Sequence, residues 1–237
     1  MKEDLIQVFV TDNRWQLLLS GLGATILITI VAAILGIILG VVTGIVRSAW
    51  DKNRERMERN RTAGYWILRI LNRIAVIYIT IIRGTPTVVQ LMLCYFAIFA
   101  SARNGLPVAM LAFGLNSGAY VAEIIRGGIM SMDDGQFEAG RSLGFNYPQT
   151  MRYVIIPQVV KAVLPALMNE FITLFKETSI AGYVGIRDLT KAGDIIRATT
   201  YLALPPLLAT AAIYLAIVML LTAVETRFER SLRKNEL

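Results

Sequence analysis

The sequence predicts an all-α membrane protein with about five transmembrane helices. Three observations carry that expectation. The 237-residue chain is 55% hydrophobic and only 17% charged, with a mean hydropathy of +0.57, too apolar for an ordinary water-facing domain. Its apolar residues fall in long uncharged runs, and roughly 20 such residues cross about 30 Å of hydrocarbon as a helix. Its basic residues crowd beside the ends of those runs.

Residues before Ser20 are polar and amphipathic with little positive charge, and are placed outside. Met1-Lys2-Glu3-Asp4 has no basic region followed promptly by a short apolar core, so no cleaved signal peptide is expected. Residues 22–46 carry no charge and form the first span. Within it Gly36, Gly40 and Gly44 recur every four residues, the spacing that lets helix backbones approach closely. A basic segment over 51–61 follows, assigned inside. Residues 64–82 are amphipathic, with Arg69, Asn72 and Arg73 on one side and Leu68, Leu71, Ile74, Ala75 and Ile79 on the other, which predicts a helix lying at the inner interface.

Arg83-Gly84-Thr85-Pro86 breaks that helix, because glycine and proline both oppose its continuation. The second span is expected over 85–101, with an outer turn at Arg103, Asn104 and Gly105. The third returns over 107–130, and the fourth runs outward over 154–175 although it carries Lys161 and Glu170. An external or re-entrant segment covers 178–200, and the fifth span covers 202–224 with Pro205-Pro206 at its entry. The N-terminus is then outside and the C-terminus inside, in line with the concentration of Lys and Arg at 47–83 and in the tail. No internal repeat interrupts what reads as one transmembrane domain, 1–237.

The net charge of +7 is read as this topology signal, facing membrane lipid, and no nucleic-acid partner is expected. The single cysteine, Cys94, and the absence of histidine exclude a disulfide framework and remove the commonest metal ligand and general base. No catalytic residue, metal site or cofactor is expected in this chain.

The segment 131–157 carries most of the functional signal. Ser131 or Asp133 can cap a short helix reaching about Ser142, and Gly144 can take the left-handed conformation that ends it. Asn146 and Gln149 form a variant capping box around Pro148 in the first turn of a second helix. That helix continues into the fourth span, with Pro157 as its kink. The product is a helix–turn–helix knuckle anchored to a span, with Glu138 and Arg141 on its polar surface.

The series Glu138-Ala139-Gly140, Gly144, then Val154-Ile155-Ile156-Pro157 resembles the EAA loop of permease subunits of ATP-binding-cassette importers. Arg83-Gly84-Thr85-Pro86 with Gln90, and Asn169-Glu170-Phe171-Ile172 through Lys176-Glu177-Thr178-Ser179, look like segments of polar amino acid permeases of the histidine, glutamine and arginine type. Gly140, Val154 and Ile156 depart from the loop pattern, and Gly140 is expected to loosen the first helix by roughly 1 kcal/mol relative to alanine.

The resemblance implies a type I importer permease fold and a bacterial cell-membrane location. It implies an ABC ATPase subunit dimer gripping Glu138, Ala139, Gly140, Arg141, Gly144 and Pro157, a second permease copy, identical or not, and an extracytoplasmic amino-acid-binding protein, free or tethered. ATP would be bound by the partner, since no G-x-x-x-x-G-K-[ST] phosphate loop occurs here.

Polar groups at membrane depth are the candidate substrate ligands: Gln90, then Asn116, Tyr120 and Glu123, then Asn169, Glu170 and Thr173. A carboxylate such as Glu170 or Glu123 suits an ammonium or guanidinium group. The alternative is that these groups satisfy one another, Glu170 with Lys161 or Lys176 and Arg83 with Glu123. Polar amino acids, basic ones included, are the expected cargo. The competing function is a stand-alone ion-coupled secondary transporter, which would need its own coupling-ion site and usually paired halves.

Overall fold

The computed structural model describes residues 6–59 and 61–234. The signal-peptide expectation for Met1-Lys2-Glu3-Asp4 therefore lies outside the described residues. Those residues contain helices and no strand. A π-turn at Ile6–Val10 and a 3-10 turn at Thr11–Asn13 lead into α1, Trp15–Arg59. Then come α2 (Ala63–Gly84), α3 (Thr87–Leu93, running on as a π-turn over Cys94–Ile98) and α4 (Gly105–Met130). The loop contains α5 (Asp134–Ser142) and α6 (Tyr147–Thr150), and a π-turn over Met151–Ile155 joins it to α7 (Ile156–Glu177). A 3-10 segment, Thr178–Val184, precedes α8 (Leu189–Thr200) and α9 (Leu204–Lys234).

Among the described residues, five helical stretches are long and apolar enough to cross a membrane, within Val8–Glu55, Ala63–Gly84, Gly105–Met130, Pro148–Val184 and Leu204–Ser231. The expected number of spans holds, but one of them is misplaced in the sequence reading. Thr87–Ile98 is a short apolar helix, and it is Ala63–Gly84 that has spanning length.

The reason lies in which face of α2 packs inward. Its buried residues are Tyr65, Asn72, Ala75 and Ile79, whereas Ile67, Ile70, Leu71, Ile74, Ile77 and Ile81 are exposed. A surface-lying helix would do the reverse, turning its apolar stripe to the protein and its polar side to water. The polar position at 72 is instead engaged by α1, where Arg47 Nη1 donates to Asn72 Oδ1 at 3.0 Å. Polarity inside and hydrocarbon outside is the pattern of a helix surrounded by lipid.

The bundle is built on α1 and α4, which pack side by side. The glycine stripe explains how close they come. A Cβ on Gly36 would lie 2.9 Å from Ser117 Cβ, and one on Gly44 would lie 2.8 Å from the Ala122 carbonyl. Gly40 faces Val121 in the same way. Bare backbone at these three positions allows helix packing that any side chain would block. The 45-residue α1 is about 67 Å long at 1.5 Å per residue. It outruns a bilayer and carries the basic segment at 51–59 as a helical arm.

The stretch 178–200, expected to be external or re-entrant, is packed against the bundle. Leu189, Ala192 and Ile196 bury with Val8 and Leu18, and Leu189 N donates to Thr25 Oγ1 at 3.1 Å. Asp188 starts α8 by accepting from Thr190 N and Lys191 N at 3.1 and 3.0 Å. Burial pushes its carboxyl above the usual range, against the pull of those hydrogen bonds.

Candidate functional site: a capped docking loop and a polar cluster inside the bundle

The loop folds as its caps dictate. Asp133 Oδ1 accepts from Gly135 N at 2.7 Å and begins α5. Gly144, at φ +81°, ends it. Phe145 N donates to the Gly140 carbonyl at 3.0 Å and Gly144 N to the Arg141 carbonyl at 2.9 Å, the paired closure of a Schellman cap. Asn146 and Gln149 then cap α6 reciprocally: Gln149 N donates to Asn146 Oδ1 at 3.0 Å, and Asn146 N to Gln149 Oε1 at 2.9 Å.

Gly140 has a tertiary contact that helix propensity alone does not describe. It is buried, and a Cβ there would lie 2.5 Å from Thr150 Cγ2 and 2.7 Å from its Oγ1. Beside its propensity cost, the missing side chain has a packing role: it lets α5 press onto α6. Gln158 Nε2 of α7 donates to Gln136 Oε1 of α5 at 3.0 Å, a further tie. Pro157 falls in the first turn of α7, directly after the π-turn. The adjustment before it therefore takes the form of a π-turn, which re-spaces the hydrogen-bond ladder where proline lacks a donor. Pro165 is also inside α7, a second break in the ladder that the sequence reading passed over.

The outer surface of the knuckle exposes Glu138, Ala139, Arg141 and Gly144. Leu143 is 72% exposed at its tip. The sequence reading did not single it out, although an isolated leucine just before the turn glycine was the available signal.

The second cluster lies where α2 breaks. Thr85 and Pro86 are extended, with ψ of 149° and 136°, so the last carbonyls of α2 lose their helical donors. Gln90 supplies replacements: its Nε2 donates to the Ile82 carbonyl at 2.7 Å, the Thr85 carbonyl at 3.0 Å and Thr85 Oγ1 at 2.8 Å. Its Oε1 accepts from Asn116 Nδ2 of α4 at 3.0 Å. Gln90 and Asn116 thus close the break and bind α3 to α4.

On the next residue of α4, Ser117 Oγ donates to Glu170 Oε1 of α7 at 2.8 Å. No ion pair joins Glu170 to Lys161 or Lys176 among the described residues, and both lysines are exposed. The proposed lysine pairing is therefore replaced by a serine from another helix. Asn169 is exposed and Thr173 half-buried beside it on α7.

Glu123 belongs to a charged chain that links three helices. Arg126 Nη2 lies 2.9 Å from Glu123 Oε2, and Arg126 Nη1 lies 3.3 Å from Asp51 Oδ2 on α1. Asp51 also lies 3.7 Å from Arg47, which holds Asn72. The expected Arg83–Glu123 pair is present at 3.9 Å, and the Arg83 guanidinium sits 5.2 Å from the centroid of the Tyr120 ring. Tyr120 and Glu123 are thereby engaged with one another's neighbours at the break in α2.

The comparisons agree with this architecture. The profile of the family described as "Binding-protein-dependent transport system inner membrane component" matches residues 61–234. The glutamine transport system permease protein GlnP of Escherichia coli (strain K12) is 40% identical over 178 residues, covering 73% of this chain and 80% of that protein. The arginine transport system permease protein ArtQ of Bacillus subtilis (strain 168) is 40% identical over 166 residues, covering 69% and 76%. Among solved structures, an amino acid ABC transporter crystallised with histidines superposes with a TM-score of 0.80 at 37% identity, over 94% of this chain and 98% of that one. An inward-facing methionine ABC transporter matches in fold at a TM-score of 0.76 and 20% identity. The chain is a multi-pass inner-membrane protein and belongs to the permease subunits of binding-protein-dependent ATP-binding-cassette importers.

Proposed function

We propose that this subunit carries polar amino acids, basic ones included, into the cell by alternating access, driven by ATP bound and hydrolysed in a partner ATPase dimer. The observation that carries the reading is the knuckle at 131–157, closed by its own caps and presenting Glu138, Ala139, Arg141 and Leu143. Packed helices move as near-rigid bodies, so a push on α5 reaches α7 through α6. Leu143 would fill an apolar pocket in the ATPase while Glu138 and Arg141 set orientation. A second permease copy and an extracytoplasmic binding protein complete the assembly. The loop end faces the ATPase inside, and the N-terminus lies outside.

Along α7, Asn169, Glu170 and Thr173 are the ligands we assign to the cargo. Glu170 is held by a neutral hydroxyl, which leaves its charge to meet an ammonium or guanidinium group. Gln90, Asn116, Tyr120 and Glu123 complete the site, the side chains of Gln90, Asn116 and Glu123 held by hydrogen bonds and the Tyr120 ring by Arg83. The relatives named for glutamine and arginine transport support this cargo class.

Purification of the tagged subunit tests the reading: an ATPase should accompany it, and reconstituted uptake should require ATP. Uptake driven by an ion gradient without an ATPase would replace it with a stand-alone transporter. On a Cys94→Ser background, a cysteine at Arg103 should label from outside with an impermeant reagent and one at Asp134 only from inside. Glu170→Gln should lower basic amino-acid affinity about tenfold to a hundredfold in an assembled complex, since charge-assisted hydrogen bonds are about twice as strong as neutral ones. Unchanged uptake would remove Glu170 from the substrate site.

A further inference from the structure

The helical arm of α1 passes beside the docking loop, and one residue joins them. Lys52 places its Nζ 4.0 Å from the centroid of the Phe137 ring on α5. Asp134 Oδ1, at the start of the same helix, lies 3.5 Å away. The ammonium has no hydrogen-bond partner and its nitrogen is buried. Lys52 is only 16% exposed along its side chain, whereas Asp134 is 91% exposed.

This arrangement is unusual for a lysine with water within reach. Cavities of about 1030 and 380 Å³ flank it, the first between the arm and residues 130–134, the second beside Glu138 and Arg141. A long cationic side chain normally extends its head into such space and keeps three hydrogen bonds. Here the head is turned onto an aromatic face, the geometry of a cation–π contact. Phe137 in turn packs against the apolar cluster of Val121, Ile125, Ile129, Ile155, Val159 and Val163, which joins α4 to α7. A displacement of the loop is therefore felt at the arm of α1 as well as along α7.

We infer that Lys52 is a positioning residue for energy coupling: it clamps the docking helix to the first spanning helix, so that the loop is braced from two sides. The inference rests on the reading of the loop as the ATPase-docking element. A loop anchored only through α4 and α7, the helices it connects, could tilt under load without moving the arm of α1. With the clamp, that arm follows the loop as well.

The test uses the whole complex in liposomes. Lys52→Met keeps the aliphatic stem and removes the charge. The ATPase should still co-purify, while amino acid taken up per ATP hydrolysed falls about threefold to tenfold, the range open to a partly desolvated cation–ring contact. Lys52→Arg should recover most of the ratio, because a guanidinium also stacks on an aromatic face. Phe137→Leu combined with Lys52→Met should be no worse in this ratio than the more impaired single variant, as expected for two ends of one contact.

A normal ratio in Lys52→Met overturns the inference, and so does additivity with Phe137→Leu. A parallel loss of ATPase association and uptake at constant ratio also overturns it, since Lys52 would then serve docking alone. If Gly144→Val weakens ATPase association while Lys52→Met changes nothing, the docking role of the loop stands and the clamp falls. If no ATPase accompanies the wild-type subunit, both fall.

Discussion

The docking loop and the break between α2 and α3 solve the same problem by different means. Each interrupts a helix and leaves backbone groups without helical partners. In the loop, the replacements come from two or three residues away: Asp133 for Gly135, Asn146 for Gln149 and the reverse. At the break, Gln90 reaches back eight residues to Ile82 and across to Asn116 on another helix. Water is available to an exposed loop if a cap fails, whereas hydrocarbon around a spanning helix offers no such substitute. The loop is therefore built from independent local parts, and the break from one side chain on which several others depend.

The largest effect should come from removing that side chain. Gln90→Leu leaves the Ile82 and Thr85 carbonyls and the Asn116 amide short of a partner. Asn116 is buried and Ile82 half-buried, whereas Thr85 is exposed; a buried unsatisfied group costs about 1–3 kcal/mol, and hydrogen bonds between membrane helices average nearer 0.6. A combined loss of about 2–4 kcal/mol is expected, read as a fall in the thermal midpoint of the purified subunit in detergent. No loop substitution of a single cap should match it. Equal losses for Gln90→Leu and Asn146→Ala would erase the contrast between the two regions.

Next is Gly140→Ala, where the loop does depend on a tertiary contact. The added methyl meets Thr150, and overpacking of this kind costs about 1–3 kcal/mol, more than alanine's better helix propensity returns. ATPase association should weaken, and Thr150→Ala in the same chain should restore most of it by removing the clashing Cγ2 and Oγ1. Failure of the second substitution to rescue would show that Gly140 serves the partner's surface instead of the fit of α5 on α6.

These two sites also mark how far the sequence could be read. Asp133, Gly144, Asn146 and Gln149 were legible because capping acts within one turn, and the chain prints both partners side by side. Gly36, Gly40 and Gly44 were legible as a stripe, and the face they meet on α4 came only with the fold. Helix α2 was misread because an amphipathic pattern fixes two faces without saying which one meets lipid. The Arg47–Asn72 hydrogen bond decides that, and it spans 25 residues of sequence. For Glu170 the pattern offered two lysines on its own helix, whereas the fold supplies Ser117 from 53 residues away. Burial of 178–200 was hidden because its polar residues are used inside a packed segment, Asp188 as a local cap and Thr190 as a hydrogen-bond partner of Tyr214 on α9.

Gly144→Val should have a smaller effect than Gly140→Ala on packing and a purely conformational one on the loop. A Cβ at 144 meets nothing within 4 Å, so sterics with neighbours are absent. The left-handed φ of +81° alone penalises a β-branched side chain by roughly 1–2 kcal/mol. The expected outcome is weaker ATPase association and lower uptake with an unchanged thermal midpoint for the bundle. Gly144→Asn, which tolerates this conformation better, should lie between wild type and valine. Equal behaviour of asparagine and valine would mean that the turn is not held left-handed in the complex.

The smallest effect belongs to α8, where two aspartates on one helix are shifted in opposite directions. Asp188 is buried and its carboxyl is raised by desolvation. Asp194 is held below the usual range by hydrogen bonds first from Arg197 and then from Lys191, at 2.6 and 3.0 Å. A carboxylate with a lowered folded-state pKa contributes stability that is present above its unfolded value, about 3.9, and lost as pH falls through the folded one. Asp194→Asn should therefore change nothing once pH has fallen below the folded-state pKa and lower stability slightly above about pH 5. The side chain is 37% exposed, so water and salt screen the pair, and a loss of about 0.5 kcal/mol or less is expected. For Asp188 the sign reverses: its raised value favours the folded state at acid pH, and that contribution disappears as pH rises through the folded pKa. Asp188→Asn keeps one of the two cap hydrogen bonds, because its amide has a single acceptor oxygen where Asp188 uses both carboxylate oxygens, and it removes the buried charge. It should flatten the acid side of the stability profile without unfolding α8. Thermal midpoints of both variants between pH 3 and 7 decide the matter. Parallel profiles for the two would show that exposure and burial on α8 do not set the sign.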